Sequence, residues 1–292
     1  MNSKGNFGRI LDIDLTDRRI DTREFTEAMA LESLGGFGYN VLFLYQNLKE
    51  GCDPLGPENI MIVSLGLLTG TAAPSSSRVH INALSPLSGL IGSSSVGGFL
   101  GSKLRALGIA VLIIRGASET PVYLAVDERG VGFQDAGDLW GRDTRQTDAA
   151  VKTLVADDRA EILTIGTAGE NLVRYACIMA GIDHSAGHTG MGAVMGSKRL
   201  KAISVSSAAR SEKASPEAMP AVREYLKSIR NSVSRYRDYS QLGSSGDLLE
   251  LNEMGLLGTR NYRSMQLEGA ERIDGRNLKS YVVRTITCPR CI

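Results

Sequence analysis

The chain has 292 residues, of which 42% are hydrophobic, and its 33 basic residues nearly balance 32 acidic ones. A net charge of +1 and an aromatic content of 5% argue against nucleic acid or a membrane surface as partner, because such partners select basic surfaces or stacking side chains. The length suits one large domain or two unequal ones. The N-terminus has no apolar segment of signal-peptide length, so we predict a cytoplasmic protein.

Residues 1–208 show the pattern of short strands separated by turns. Leu11, Ile13 and Leu15 alternate with Asp12 and Asp14, which is the period of a strand. Further runs rich in branched residues predict strands at Ile20–Phe25, Ile60–Leu65, Val79–Ala83, Ala110–Arg115, Val122–Val126, Ile162–Ile165, Val173–Met179 and Ala202–Val205. Helices are predicted at Glu27–Leu34, Asn40–Leu48, Gly98–Leu107 and Thr147–Val155. This mixture indicates an α+β domain dominated by antiparallel sheet.

The pattern changes near residue 209. Ser207 to Ser215 is polar, as expected of a linker, and Ser215 followed by Pro216 has the composition of a helix start. One apolar helical face follows, made by Val222, Leu226, Ile229, Val233 and Tyr236. We therefore predict a mainly helical domain beginning in residues 209–292.

Cys288 and Cys291 form a C-x-x-C pair close to the last residue. Two thiolates at this spacing can bind one metal ion or two irons of a cluster, although a redox disulfide and the absence of any role are alternatives. A complete metal site requires four ligands, and no other cysteine lies nearby in the sequence. Cys52 and Cys177 are predicted to be structural.

Three glycine- or serine-rich segments are candidates for anion binding. Gly190–Lys198 satisfies neither the P-loop nor the dinucleotide pattern, but its backbone N–H groups could face an anion. Thr69–Arg78 is rich in hydroxyls and ends in an arginine suited to phosphate, unless it is an ordinary surface loop. Ser93–Gly98 leads into a predicted helix. Together the three segments favour a large, polar, phosphate-bearing ligand.

His184 and His188 lie four residues apart, a spacing that would place them on one face of a helix. Gly187 and Gly190 instead favour a loop here. Zinc binding by this pair is therefore disfavoured.

Several segments spread along the whole chain carry a resemblance to a known family. They are Gly8–Ile10 with Asp14–Thr16, Asp53–Asn59, Leu67–Arg78, Ser85–Gly89, Gly166–Leu172, Gly192–Lys198 and Leu200–Ile203. With these segments in the family order, the sequence resembles the aldehyde:ferredoxin oxidoreductase family of tungsten- or molybdenum-pterin enzymes.

The resemblance implies a first domain of two antiparallel β-sheets with a few helices, covered by helical domains. It implies a tungsten or molybdenum bis-pterin, a magnesium ion and a [4Fe–4S] cluster. The expected reaction oxidises aldehydes to carboxylic acids and passes electrons to ferredoxin or an electron-transfer subunit; a homodimer is a further expectation. Alternatives are reduction of an aromatic thioester, oxidation of a 2-hydroxy acid, or a non-catalytic scaffold fragment.

The resemblance also assigns residues to the pterin cofactor. Arg78 corresponds to the arginine that contacts a pterin phosphate. Ser95 stands where many members have an asparagine whose backbone carbonyl reaches magnesium. Gly97 and Gly98 correspond to glycines that let the pterin come close.

A second group of assigned residues follows in the C-terminal half of the domain. His184 and Ser185 stand where members often have Arg-Ala, a cofactor contact and a second carbonyl ligand. Gly187 is placed in the same site, and His188 replaces another frequent arginine. These departures suggest a subfamily other than the best-known aldehyde enzymes.

The remaining assignments concern the cluster and the catalytic step. Cys288 and Cys291 correspond to the first two cysteines of a C-x-x-C-x-x-x-C cluster motif, within which we expect the chain to be truncated. The catalytic acid/base residue is expected beyond residue 292, so none is named in this chain.

Overall fold

A computed structural model describes residues 7–208, 218–232, 239–289 and 291. They belong to two compact units, the first holding residues 7–208 together with 288, 289 and 291, and the second holding residues 218–232 and 239–287. The predicted helix start at Ser215 and Pro216, and the helical positions Val233 and Tyr236, lie outside the described residues.

Six strands form the first sheet, in the order β2-β1-β6-β3-β4-β5. Neighbouring strands are antiparallel except for the pair β1 and β6, which is parallel. The strands are β1 (Arg9–Asp14), β2 (Arg19–Glu24), β3 (Met61–Leu65), β4 (Val79–Leu84), β5 (Ile91–Val96) and β6 (Ile109–Arg115).

The second sheet also has six strands, in the order β11-β10-β9-β12-β7-β8, with β12 and β7 as its parallel pair. The α+β class with two sheets is thus confirmed, and each sheet is antiparallel apart from one central pair. The strands are β7 (Val122–Asp127), β8 (Gly130–Asp135), β9 (Glu161–Thr164), β10 (Ile178–Ala180), β11 (His184–Ala186) and β12 (Leu200–Val205).

The main hydrophobic core lies between the two sheets. Leu11 and Ile13 of β1 pack in one cluster with Leu124 of β7 and Ile203 of β12, because alternate side chains of a strand point to the same face. The opposite face of the first sheet is covered by α1 (Glu27–Ser33) and α2 (Gly36–Asn47), and that of the second sheet by α4 (Thr144–Leu154). The other helices of this unit are α3 (Leu100–Ala106), α5 (Thr167–Glu170) and α6 (Met191–Ser197).

Several predicted elements differ from those observed. The strand predicted at Val173–Met179 is confined to Ile178–Ala180, because residues 172–177 form turns. Strands β5, β8 and β11 lie where the sequence pattern predicts no strand, and β5 includes serines whose composition is typical of a loop. The segment Gly190–Lys198 contains the buried helix α6.

The glycines of α6 allow it to pack directly against neighbouring backbone. A Cβ atom at Gly196 would overlap the carbonyl oxygen of Gly169, and one at Gly192 would lie 2.5 Å from the carbonyl oxygen of Cys177. Lys198, directly after α6, is fully buried and donates to the backbone carbonyls of Asn59 and Gly116. This segment therefore serves packing instead of the anion binding considered from the sequence.

A buried ion pair joins α5 to β12. Lys201 is paired with Glu170, and their side chains are 0% and 5% exposed. Lys201 also donates to the carbonyl of Arg142 at 2.8 Å, and Glu170 accepts from the Gly141 amide at 2.9 Å. Such additional bonds are what makes a buried ion pair tolerable, because desolvation of two charges is costly.

The second unit contains helices at Ala218–Ser232, Leu248–Glu253 and Gly275–Leu278, with short 3-10 turns at Gly243–Asp247, Ala270–Ile273 and Lys279–Tyr281. That residues 209–292 are the beginning of a separate helical domain stays a prediction. Within the described parts of the chain, no helix combines the length and the apolar character needed to cross a bilayer.

Candidate functional site

A cavity of about 720 Å³ lies where the edge strands of the two sheets adjoin. Strand β5 ends the first sheet and β11 ends the second, so each has one side without a ladder partner. Side chains and backbone from both strands and from neighbouring segments line the cavity: Phe37, Arg78, His80, Ser93, Ser94, Ser95, Ser185, Gly187 and His188.

Serine hydroxyls fix the loop that follows β11 against the first sheet. The hydroxyl of Ser94 donates to the carbonyl of Gly187 at 2.6 Å and lies 3.2 Å from that of His188. The hydroxyl of Ser85 donates to the carbonyl of Thr189 at 2.7 Å. His188 and Thr189 have φ values of 61° and 51°, a left-handed conformation that side-chain-bearing residues adopt only when their surroundings hold them. The wall of the cavity is thus rigidly connected to both sheets.

The charge of the cavity is positive. Arg78 is exposed, its guanidinium is permanently charged, and it makes no ion pair with the residues that the structure describes. Burial, followed by the positive charge of Arg78, lowers the pKa of His80, so that its ring is neutral near pH 7. A fixed cation, a neutral imidazole and several hydroxyls are groups that bind a phosphate or another polar anion.

His80 has an unsatisfied polar atom in the cavity wall. Its Nδ1 is buried and has no hydrogen-bond partner among the described residues. Ser64, directly opposite His80 in the pairing of β3 with β4, also has a buried hydroxyl without a partner in this part of the chain. Buried polar groups are usually paired, so these two atoms are exceptions on the strands next to the cavity.

A second group of residues gathers around the thiol of Cys288. The amide of Gly98 donates to Cys288 Sγ at 3.2 Å, and His184 Nε2 lies 3.2 Å from the same sulfur. A Cβ atom at Gly97 would lie 2.8 Å from this sulfur, so glycine permits the approach. The amide of Cys291 donates to the carbonyl of Cys288 at 3.1 Å, which closes the C-x-x-C turn.

The residues assigned from the sequence therefore fall into two adjoining groups. Arg78, Ser95, Ser185 and Gly187 line the cavity, whereas Gly97, Gly98 and His184 surround Cys288. Successive residues of a strand point to opposite faces, which explains why His184 and Ser185 belong to different groups. Strand β11 contributes to both groups, and β5 leads from the cavity directly into Gly97 and Gly98, so these two segments connect the groups.

Three cavity features were not anticipated from the sequence: Phe37, His80 and the hydroxyl of Ser94. His80 lies two residues after Arg78 and lines the cavity with it. In the pairing of β4 with β5, His80 lies opposite Ser95. That register could have been found only if Ser93–Ser95 had been recognised as strand. In the described part of the chain, no three His, Cys, Asp or Glu side chains come together in a way that could hold a metal ion.

Comparison with known proteins assigns the sequence of this chain to a family. The family model described as "Aldehyde ferredoxin oxidoreductase, N-terminal domain" matches residues 10–207. The chain belongs to the aldehyde ferredoxin oxidoreductase family. The resemblance found in the sequence is thereby confirmed.

Relatives of this family include a tungsten-containing aldehyde ferredoxin oxidoreductase from Thermococcus kodakarensis, which is 36% identical over 289 residues. That alignment covers 98% of this chain and 48% of the relative. An aliphatic sulfonate oxidoreductase, WOR-like subunit, from Pyrococcus furiosus is 36% identical over 214 residues, or 67% of this chain and 34% of the relative. The chain spans about half the length of the tungsten-containing relatives that it matches.

Among solved structures, the active-site complex BamBC of benzoyl-coenzyme A reductase, bound to 1,5-dienoyl-CoA, is similar with a TM-score of 0.82 and 30% identity. The alignment covers 98% of this chain and 46% of that chain. The names of these relatives thus describe oxidoreductases with different substrates.

Proposed function

We propose that this chain is the cofactor-binding part of an oxidoreductase that holds a tungsten or molybdenum bis-pterin in the cavity between β5 and β11. The observation that carries the proposal is the position of that cavity, at adjoining sheet edges and beside Arg78. Its volume of about 720 Å³ is within the range of about 300–1,000 Å³ usual for small-molecule sites.

The residues present fit such a group. Arg78 supplies a planar cation for phosphate, and the hydroxyls of the serine run supply neutral donors. Ser95 and Ser185, whose backbone carbonyls the resemblance assigns to magnesium, lie on the two adjoining edge strands.

The reaction we propose converts an aldehyde and water into a carboxylic acid, two protons and two electrons. When bound, the pterin-held metal supplies the redox chemistry, and the protein supplies position and charge. In this chain Arg78 binds and orients the phosphate, and neutral His80 offers a hydrogen bond in the cavity wall. The acid/base residue is expected beyond residue 292.

Electrons would leave through the region of Cys288 and Cys291. We propose that these thiolates provide two of the four ligands of a [4Fe–4S] cluster that reduces ferredoxin or an electron-transfer subunit. The amide of Gly98 donates to Cys288 Sγ, and His184 Nε2 lies within hydrogen-bond distance of the same sulfur, which supports a thiolate there. Cytoplasmic location, anaerobic use and a homodimer remain expectations.

A second candidate substrate is an aromatic thioester. It is favoured by the similarity to BamBC, whose bound molecule is a dienoyl-CoA. The cavity is also compatible with oxidation of a 2-hydroxy acid or with a non-catalytic scaffold role. Activity assays with an aldehyde and with benzoyl-CoA distinguish the first two substrates.

The test is cofactor content after anaerobic expression in a host that makes the tungsten pterin. Tungsten, molybdenum, released pterin, iron and sulfide are measured in the wild type, in Arg78→Ala and in a matched control, Arg129→Ala. Arg129 is exposed and paired with Asp127 in a turn remote in sequence from the cavity segments. We expect Arg78→Ala to lose most of the pterin and Arg129→Ala to retain it. Equal pterin content in all three proteins would show that Arg78 does not bind the pterin. A wild type without pterin would contradict the proposal.

A further inference from the structure

We infer that His184 is a positioning residue for Cys288, and that position 184 in this chain serves the sulfur instead of the cofactor cavity. The inference deepens the proposed function and rests on it where the cluster is concerned. It begins from the convergence of His184 Nε2 and the Gly98 amide on one sulfur atom, each at 3.2 Å.

The direction of the hydrogen bonds follows from the chemistry of the groups. A thiolate has no proton to donate, and the Gly98 amide can only donate. Where Cys288 is a thiolate, as in a metal cluster, the N–H group of His184 Nε2 therefore donates to Sγ. Two N–H donors on one sulfur form a defined pocket for a negatively charged ligand atom.

Glycine residues make room for this arrangement. A Cβ atom at Gly97 would lie 2.8 Å from Sγ and 3.4 Å from His184 Cδ2. Gly98 has a φ value of +85°, a conformation that side-chain-bearing residues rarely adopt, and its amide is directed at the sulfur. Both glycines and His184 are thus parts of one structure around Cys288.

The neighbouring residue explains why His184 does not face the cavity. Ser185 lines the cavity, and the alternation of β11 turns the preceding side chain away from it. His184 therefore contacts the sulfur from the same short strand that forms the cavity wall. His184 therefore belongs to the group around Cys288, and Ser185 belongs to the cavity lining.

The consequence concerns the metal group that Cys288 would help to hold. Hydrogen bonds to a cluster sulfur stabilise the reduced form, which carries one more negative charge. Outer partners of this kind also fix the orientation of the ligand. We therefore expect His184 to raise the reduction potential of the cluster and to orient Cys288.

The first part of the test uses the metal-free 292-residue chain. Nitrogen-15 NMR is used to measure the Nε2 chemical shift of His184 and the exchange rate of the Gly98 amide in the wild type, in Cys288→Ala and in the matched control Cys291→Ala. We expect a changed His184 Nε2 shift and about tenfold faster Gly98 exchange in Cys288→Ala. Cys291→Ala should resemble the wild type. An unchanged His184 Nε2 shift together with unchanged Gly98 exchange in Cys288→Ala would overturn the inference.

The second part uses the holoenzyme and a potentiometric titration followed by electron paramagnetic resonance. At a fixed potential, His184→Phe should lower the ratio of reduced to oxidised cluster by about three- to tenfold, whereas His184→Gln, which keeps an N–H donor, should restore it. Arg129→Ala, a change of an exposed residue that belongs to neither group, is the control for potential. Equal ratios in His184→Phe and the wild type would overturn the role of His184.

The two parts separate failure of the inference from failure of the proposed function. A wild type that binds no iron contradicts the proposed cluster, and the NMR result still decides whether His184 and Gly98 bind Cys288. An NMR result without these contacts overturns the inference even if the holoenzyme contains iron.

Discussion

Two segments with similar composition have different roles in this molecule. The core segment, residues 190–201, and the edge segment, residues 91–98, are both rich in small residues, and both are candidates for anion binding on composition. The core segment forms α6 and part of β12 and is almost entirely buried, with its lysines bonded internally. The edge segment forms β5 and its continuation, which contact the cavity and Cys288. Composition alone therefore does not distinguish a backbone that packs against protein from one that meets a ligand.

The largest effect should come from breaking the buried ion pair of the core segment. Lys201→Met leaves the Glu170 carboxylate buried without its cation, which should lower the free energy of unfolding by about 3–5 kcal/mol. Urea unfolding followed by circular dichroism measures this. The control is Lys49→Met, which breaks an exposed pair with Glu58 and should cost less than about 1 kcal/mol. Similar losses of unfolding free energy in both variants would show that burial does not determine how much an ion pair contributes to stability.

A methyl group at Gly196 should have the next largest effect. Gly196→Ala places a Cβ atom on the carbonyl oxygen of Gly169, so α5 and α6 must separate. We expect a loss of about 3 kcal/mol in urea unfolding. The matched change Gly137→Ala, at an exposed glycine whose nearest atom is 3.4 Å away, should have little effect. A Gly196→Ala protein as stable as the wild type would contradict the close packing.

Lys198 should make stability depend on pH in the alkaline range. Burial lowers its pKa to about 8 from an ordinary value of 10.5. Above pH 8 the unfolded chain binds more protons than the folded one, so the free energy of unfolding should rise with pH in the wild type. The rise relative to Lys198→Met should be about 2 kcal/mol between pH 8 and 9.5. Parallel pH profiles for the two proteins, measured by urea unfolding, would contradict it.

The smallest effect on stability is expected in the edge segment. Gly97→Ala meets the Cys288 sulfur at 2.8 Å, and a side-chain atom can move more easily than buried backbone. We expect a loss of less than about 1 kcal/mol in unfolding together with a clear loss of iron from the holoenzyme. A stability loss as large as that of Gly196→Ala would remove the distinction between the two segments.

The sequence predicted those strands whose stability comes from branched apolar residues. Strands β3 and β6 were recognised because Met61–Leu65 and Ile109–Arg115 are apolar on both faces or nearly so, and β4 because apolar residues alternate along Val79–Leu84. Strand β5 was not, because its serines have weak strand preference and the pairing with β4 determines the conformation. The glycines of α6 concealed a helix for the same reason, since packing overrides their low helix preference.

For the site, the family resemblance supplied the residue numbers, but their division into two groups required the structure. His184 and Ser185 are adjacent in sequence, and only the strand conformation of β11 separates them. His80 was missed because its contact with the cavity depends on register. The contact of Cys288 with Gly98 joins residues 190 positions apart, a distance that no local pattern can report.

The meeting of β5 and β11 also has a consequence for how the protein folds. The two strands belong to different sheets and are far apart in sequence, so the cavity between them exists only after both sheets have formed and docked. A ligand that contacts both edges binds the docked state and not the undocked one. Its binding free energy is therefore added to the docking of the two sheets, beyond what their shared core and the serine hydrogen bonds of Ser85 and Ser94 supply.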